Sequence, residues 1–144
     1  MSTMLRISEA ASLAMHTMAF LAARGDEPAS TKQVAEALGA SAEHLAKVLQ
    51  RLTKVGMVRS VRGRKGGFAL GKRGAGLTLL EVYEAIEGPF VARTCLLRIP
   101  MCTGRECLLG RLVDTVNKQF VEALGGTSLA RLADGGWRIA GENA

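Results

Sequence analysis

Residues 31–70 read TKQVAEALGASAEHLAKVLQRLTKVGMVRSVRGRKGGFAL, and this stretch decides the fold. Ser30 or Thr31 offers a hydroxyl that caps a helix over Lys32–Leu38, with Val34, Ala35 and Leu38 turned inward. Gly39-Ala40-Ser41 is a short turn: a glycine near the helix end, then a serine cap for the next helix. That helix is predicted over Ala42–Lys54, because Leu45, Val48, Leu49 and Leu52 fall at i, i+3, i+4 and i+7. Its other face carries Glu43, His44, Lys47, Gln50, Arg51 and Lys54, and Gly56 ends it. Met57–Arg62 then reads as a strand, Gly63-Arg64-Lys65-Gly66-Gly67 as a hairpin tip, and Phe68–Leu70 as the returning strand. A helix, a short turn, a basic helix and a basic hairpin, in that order, make a winged helix-turn-helix.

Upstream, residues 5–24 predict a first helix, with Leu5, Leu13, Phe20 and Leu21 among small alanines, stopped by Arg24-Gly25. Downstream, Thr78 caps a helix over Leu79–Ile86, and Gly88-Pro89 breaks it. A loop over 90–107 holds all three cysteines. A long helix follows from Leu108 to about Leu124, and its apolar residues Leu109, Leu112, Val113, Val116, Phe120 and Leu124 form a seam suited to a partner chain's helix. Leu129 and Leu132 add a short last helix, and the tail from Asp134 is polar apart from Trp137, which calls for some burial. The expected fold is mainly α with a small β-hairpin wing. A winged helix-turn-helix domain over 1–88 leads into a cysteine-bearing sensor loop over 89–107, a dimerisation helix region over 108–133 and a flexible tail over 134–144.

The chain has 144 residues, 48% hydrophobic and only 4% aromatic, so one aliphatic core is expected. It has no apolar run of membrane-spanning length and no secretory leader pattern, which predicts a cytoplasmic protein with no membrane partner. The formal charge of +6 is unevenly placed: residues 1–74 hold twelve Lys/Arg against five Asp/Glu, and residues 75–144 hold seven against eight. No acid lies between Glu43 and Glu81, a stretch with nine basic residues. A contiguous, glycine-interrupted basic block points to a polyanion partner, here double-stranded DNA. Enzyme classes are set aside. Gly63–Gly67 lacks the order of a phosphate-binding loop, and no nucleophile–base pair or paired carboxylates stand out.

On a helix that enters the major groove, base edges meet the residues near its N-terminus. Those positions are Ser41, Glu43, His44 and Lys47, with Arg51 further along the same face. In the hairpin, Arg64 at the tip suits an A·T-rich minor groove, while Arg59, Arg62 and Lys65 suit phosphates, which fix register without carrying sequence.

Cys95, Cys102 and Cys107 lie within 13 residues, and an odd number of cysteines argues against a disulfide framework. Three soft thiolates in one loop suit an iron–sulfur cluster, zinc or copper(I), and they equally suit thiol redox chemistry. Arg93, Arg98 and Arg105 in the same loop would lower thiol pKa values and offset a cluster's negative charge.

LRISEAASLAMHTMAFLA (5–22), the 31–70 stretch, LTLLEVYEAIEGPF (77–90) and TSLARLA (127–133) together resemble the Rrf2-type winged-helix regulators, a family with cluster-status regulators and nitric-oxide sensors. The wing is the most specific part: Ser60-Val61-Arg62-Gly63, two variable residues, Gly66-Gly67 and the aromatic Phe68. The resemblance implies a homodimer on a partly palindromic operator, often a repressor, and a cluster (2Fe-2S or 4Fe-4S) held by Cys95, Cys102 and Cys107. The family's usual fourth ligands are replaced here by Ser12 and Gly110. Some family members recruit a ligand from the first helix across the dimer, which makes His16 the candidate, with Glu9, water or a small thiol as alternatives. The expected function is a DNA-binding regulator sensing redox, nitric oxide or cluster supply. The alternatives are a cluster-free thiol redox regulator, or a metal- or cluster-handling protein whose winged domain binds a protein partner.

Overall fold

The computed structural model describes residues 7–92, 95–97, 99, 101, 107 and 109–134. Its helices are α1 (Glu9–Ala23), α2 (Thr31–Leu38), α3 (Ala42–Lys54), α4 (Leu79–Glu87), α5 (Gly110–Gly125) and α6 (Leu129–Asp134). Between α3 and α4 lie strands β1 (Val58–Val61) and β2 (Gly67–Leu70) and a single 3-10 turn over Gly74–Gly76. The mainly helical fold with one antiparallel hairpin is the expected one.

Local chemistry sets the boundaries. Ser8 accepts from the Ala11 amide at 3.0 Å and so starts α1 later than the apolar pattern alone suggests. Ser30 and Gln33 form a reciprocal capping box at α2, and Thr78 and Glu81 form another at α4. Gly39 ends α2 in the left-handed region, at φ 62°.

α1 is the centre of the molecule. Ala11, Leu13, Ala14, Thr17, Met18, Ala19, Phe20 and Leu21 are all buried, so the helix is covered on nearly every side rather than along one stripe. It packs against α2, α3, α4, α6 and β2. α6 turns back onto it, anchored by the fully buried Leu129 and by the Leu129 amide donating to the Leu77 carbonyl at 2.9 Å.

The long helix corrects one expectation. Part of its apolar seam is taken up within this chain. Val113 and Phe120 are buried within this chain, where α5 packs against α4, whereas Leu109 and Leu112 stand 42% and 55% exposed. At about 100° per residue, 109, 113, 116 and 120 fall within about 60° of one another, with 117 and 112 on the two flanks. α5 therefore carries one broad apolar arc, in which Val113 and Phe120 are buried in its own domain and Leu109 and Leu112 are turned outward. The tail from residue 135, with Trp137, lies outside the described residues.

β1 and β2 pair in register from Val58 with Leu70 to Val61 with Gly67. The hairpin is also pinned at its side: Ala29 donates to the Phe68 carbonyl at 2.9 Å, and Phe68 donates back to Ala29 at 2.8 Å. This bridge ties the wing to the loop before α2, and it requires Gly67. That residue has φ +144°, and a Cβ there would lie 2.4 Å from the Ala29 carbonyl oxygen. Gly67→Ala is therefore expected to lower the unfolding free energy by about 1–3 kcal/mol. Gly76→Ala, with nothing within 4 Å of the added methyl, should change it by less than about 1 kcal/mol. Urea unfolding of both variants checks this, and equal effects would refute the bridge as the reason for the glycine.

Candidate nucleic-acid interface and cysteine loop

α3 holds its polar face outward because Leu45, Val48, Leu49 and Leu52 are buried beneath it. Ser41 is the N-cap, its hydroxyl accepting from the His44 amide at 3.3 Å. Glu43 and Lys47 are exposed and pair at 3.7 Å, a surface contact that a phosphate or base edge would displace at little cost. His44 is half-buried, and its Nδ1 stands 3.7 Å from the Glu9 carboxylate at the start of α1. Two of the basic residues expected at DNA are engaged with the protein's own backbone. The Arg51 guanidinium donates to the Ile86 carbonyl at 2.6 Å. Arg59 Nε donates to the Leu70 carbonyl at 3.1 Å, with Asp26 at 3.8 Å from its guanidinium.

Arg62, Arg64 and Lys65 are exposed at the wing tip. Gly66 lets the turn close, since a Cβ there would meet the Val61 carbonyl oxygen at 2.2 Å. Because the wing is pinned beside α2, Arg64 and Lys65 share a cleft of about 610 Å³ with Arg24, Ser30 and Gln33. Arg24 was not expected here; its place before Gly25 reads as the end of a helix. It lies over the Phe20 ring at 5.6 Å and pairs with Glu27 at 3.0 Å. Wing tip and cleft on one hand, and the outer face of α3 on the other, each carry more basic than acidic side chains, with Glu27 and Glu43 as minority charges.

Cys95 and Cys107 are half-buried free thiols. Cys102, Arg93, Arg98 and Arg105 lie outside the described residues. Gly110 keeps the space beside Cys107 open: a Cβ at that position would fall 2.9 Å from the Cys107 Cβ and 3.7 Å from its Sγ. Donor chemistry and this opening fit a thiolate-bound group. His16 is placed elsewhere in the same chain, exposed at the edge of an open, mainly apolar pocket of about 190 Å³ that Met15, Ala19, Leu79, Leu124 and Leu132 also line. Its Nδ1 is 2.7 Å from the Ser12 carbonyl and so carries the hydrogen of that contact. Among the described residues no three His, Cys, Asp or Glu side chains gather closely enough to hold a metal ion, so one chain does not bring His16 to Cys95 and Cys107.

The root of the loop is well anchored. The Phe90 amide donates to the Glu84 carboxylate at 3.0 Å. Its ring stacks on Phe120 at 5.0 Å and 28°, and Phe120 meets Tyr83 edge-on at 5.0 Å and 76°. Beyond it the chain exposes Val91, Leu97, Ile99 and Met101, the last at 74%. No helix among the described residues is long and apolar enough to cross a membrane.

Comparison with known proteins agrees with this geometry. The Rrf2 family model, described as an iron-dependent transcriptional regulator, matches residues 7–135. The HTH-type transcriptional repressor NsrR of Streptomyces coelicolor is 31% identical over 122 residues, covering 83% of this chain and 82% of that protein. Protein aau3 of Rhizobium meliloti is 33% identical over 91 residues, 63% of this chain but only 59% of its own length. Among solved structures, CymR (YrzC), the global cysteine regulator of B. subtilis, superposes with a TM-score of 0.71 at 30% identity, covering 90% of this chain and 97% of that one.

The chain's one tyrosine supplies a test of the loop root. Burial, then the Glu87 and Glu84 carboxylates, raise the Tyr83 phenol above its ordinary 10.0. The folded state thus holds the proton more tightly than the unfolded chain. The stability this gives is complete below pH 10.0 and is lost as pH rises through the higher folded value. Ultraviolet titration of the native protein should show phenolate forming above that ordinary value, and Tyr83→Phe should remove this share of the alkaline loss of stability. A native titration at or below 10.0 would refute the packing described.

Proposed function

The chain belongs to the Rrf2 family of transcriptional regulators, and from that premise we propose that it is a homodimeric operator-binding repressor whose DNA affinity follows the state of its cysteine loop. One observation carries the reading: a basic, outward-facing α3 with β1 of the basic wing packed against it, the wing being pinned to the loop before α2 by the Ala29–Phe68 bridge. The arrangement suits a helix in a major groove and a wing tip at a minor groove. Ser41, Glu43, His44 and Lys47 supply the end of α3 that meets base edges. Arg62, Arg64 and Lys65 supply the wing, and Arg59 stiffens its base.

The outward part of the α5 arc, with Leu109 and Leu112, supports a second copy of the chain as the partner there. Cys95, Cys102 and Cys107 would hold an iron–sulfur cluster, which when bound supplies a centre responsive to redox state and to nitric oxide. The loop leaves α4 and enters α5, so its order bears on both the DNA-reading half and the partner-facing part of α5. A coupling of about 1–3 kcal/mol is enough for such a switch. A thiol switch without cluster is the second reading, favoured by Cys95 and Cys107 both being partly reachable thiols.

Two measurements test this. Arg64→Ala should weaken binding to a duplex selected by the wild-type protein from random-sequence DNA, while fold and oligomeric state stay unchanged. Lys65→Ala, which removes a phosphate contact, should lower the salt slope by about 1. Unchanged affinity in an anisotropy titration would refute the wing assignment. Anaerobically purified protein should be brown and contain iron and acid-labile sulfide in near-equal amounts. Colourless protein after reconstitution would leave the thiol switch.

A further inference from the structure

Arg51 sits in the last turn of α3 and bonds to Ile86 in the last turn of α4, 35 residues away in sequence. The final carbonyls of a helix have no partner within it and carry the negative end of its dipole. A guanidinium answers both needs, and a charge-assisted bond of 2.6 Å is a strong one. The same turn of α4 is held on its other side by Ser8, whose hydroxyl donates to the Glu87 carboxylate.

Past this turn Gly88, at φ +85°, redirects the chain into the cysteine loop. The first anchored residue of that loop is Phe90, bound to Glu84 and stacked in the Phe120–Tyr83 group. A continuous path thus runs from the loop root through Phe90, Glu84 and the α4 terminus to Arg51 and the recognition helix. Leu45, Val48, Leu49 and Leu52 fix which face of α3 is buried, but apolar contacts are non-directional and set its axial position only loosely. The Arg51 bond is directional. Helix shifts of about 1–2 Å are the usual scale of regulatory movement, and one of that size would displace side chains from base edges.

We propose that Arg51 is a positioning residue that conveys the state of the cysteine loop to the recognition helix through the last turn of α4. The proposal rests on the reading of the chain as a DNA-binding regulator with a responsive loop.

A double-mutant cycle on the metal-free, full-length protein tests it. Affinity for the selected duplex is measured by anisotropy for wild type, Phe90→Ala, Arg51→Met and the double variant. Phe90→Ala should change affinity by about fivefold or more in the wild-type background. In the Arg51→Met background the effect should fall below about twofold, and Arg51→Lys, which keeps a donor, should restore part of it. Phe90→Leu replaces Phe90→Ala if thermal melting shows the latter unfolded. Equal effects of Phe90→Ala in both backgrounds, or none in wild type, overturn the proposal. Additivity together with a salt slope lowered by about 1 in Arg51→Met would make Arg51 a phosphate contact instead. Failure of the wild-type protein to select any duplex would sink the regulator reading itself, an outcome recognisable before any variant is made.

Discussion

Helix α1 has to be covered on nearly every side, and the other elements take their places from that requirement. With eight of its fifteen residues out of solvent, it cannot rest on a surface and must be enclosed. α2, α3, α4, α6 and β2 all pack against it. A chain with so few aromatic residues must obtain its core from many small contacts, and the alanines of α1 allow its neighbours to approach closely. The price is one buried hydroxyl: Thr17 Oγ1 sits inside without a hydrogen-bond partner.

Enclosure of α1 also decides where charge goes. Lys and Arg cannot enter this core, so the basic residues of the first half collect on the outer face of α3 and on the hairpin. The hairpin is not left as a loose arm. Two backbone hydrogen bonds through Ala29 and Phe68 hold it against the loop that precedes α2. The cationic residues are therefore set out on backbone geometry, and their side chains are released from structural duty to different degrees: Arg64 and Lys65 fully, Arg59 and Arg51 hardly at all.

What was legible in the sequence was local. The bounds of α3, its Ser41 cap, the Thr78–Glu81 capping box and the glycine-tipped hairpin follow from residues within a few positions of one another. The partner of Arg51 lies 35 residues away on another helix, and nothing in the spacing marks Ile86 as its acceptor. The Ala29–Phe68 bridge is equally remote, and Gly66-Gly67 read only as part of a hairpin tip. The apolar arc of α5 was read as turned to a partner because apolar residues at 109, 112, 113, 116 and 120 look alike until it is known which neighbour each faces. His16 showed the same limit: a histidine near cysteines in a list of ligands stands, in the chain, among aliphatic side chains.

The bridge beside the wing has a consequence for how such a protein changes over generations. With the hairpin fixed to the α2 loop, the separation between helix and wing is a property of the main chain, and few single substitutions can alter it without unfolding the domain. The outer side chains of α3 are under no such restraint. Glu43, Lys47 and Gln50 are exposed, and exchanging surface residues of this kind usually shifts stability by less than about 0.5 kcal/mol. The scaffold behaves as a ruler with exchangeable markings: descendants can acquire a new DNA sequence preference by small steps while the distance between the two grooves they reach stays inherited.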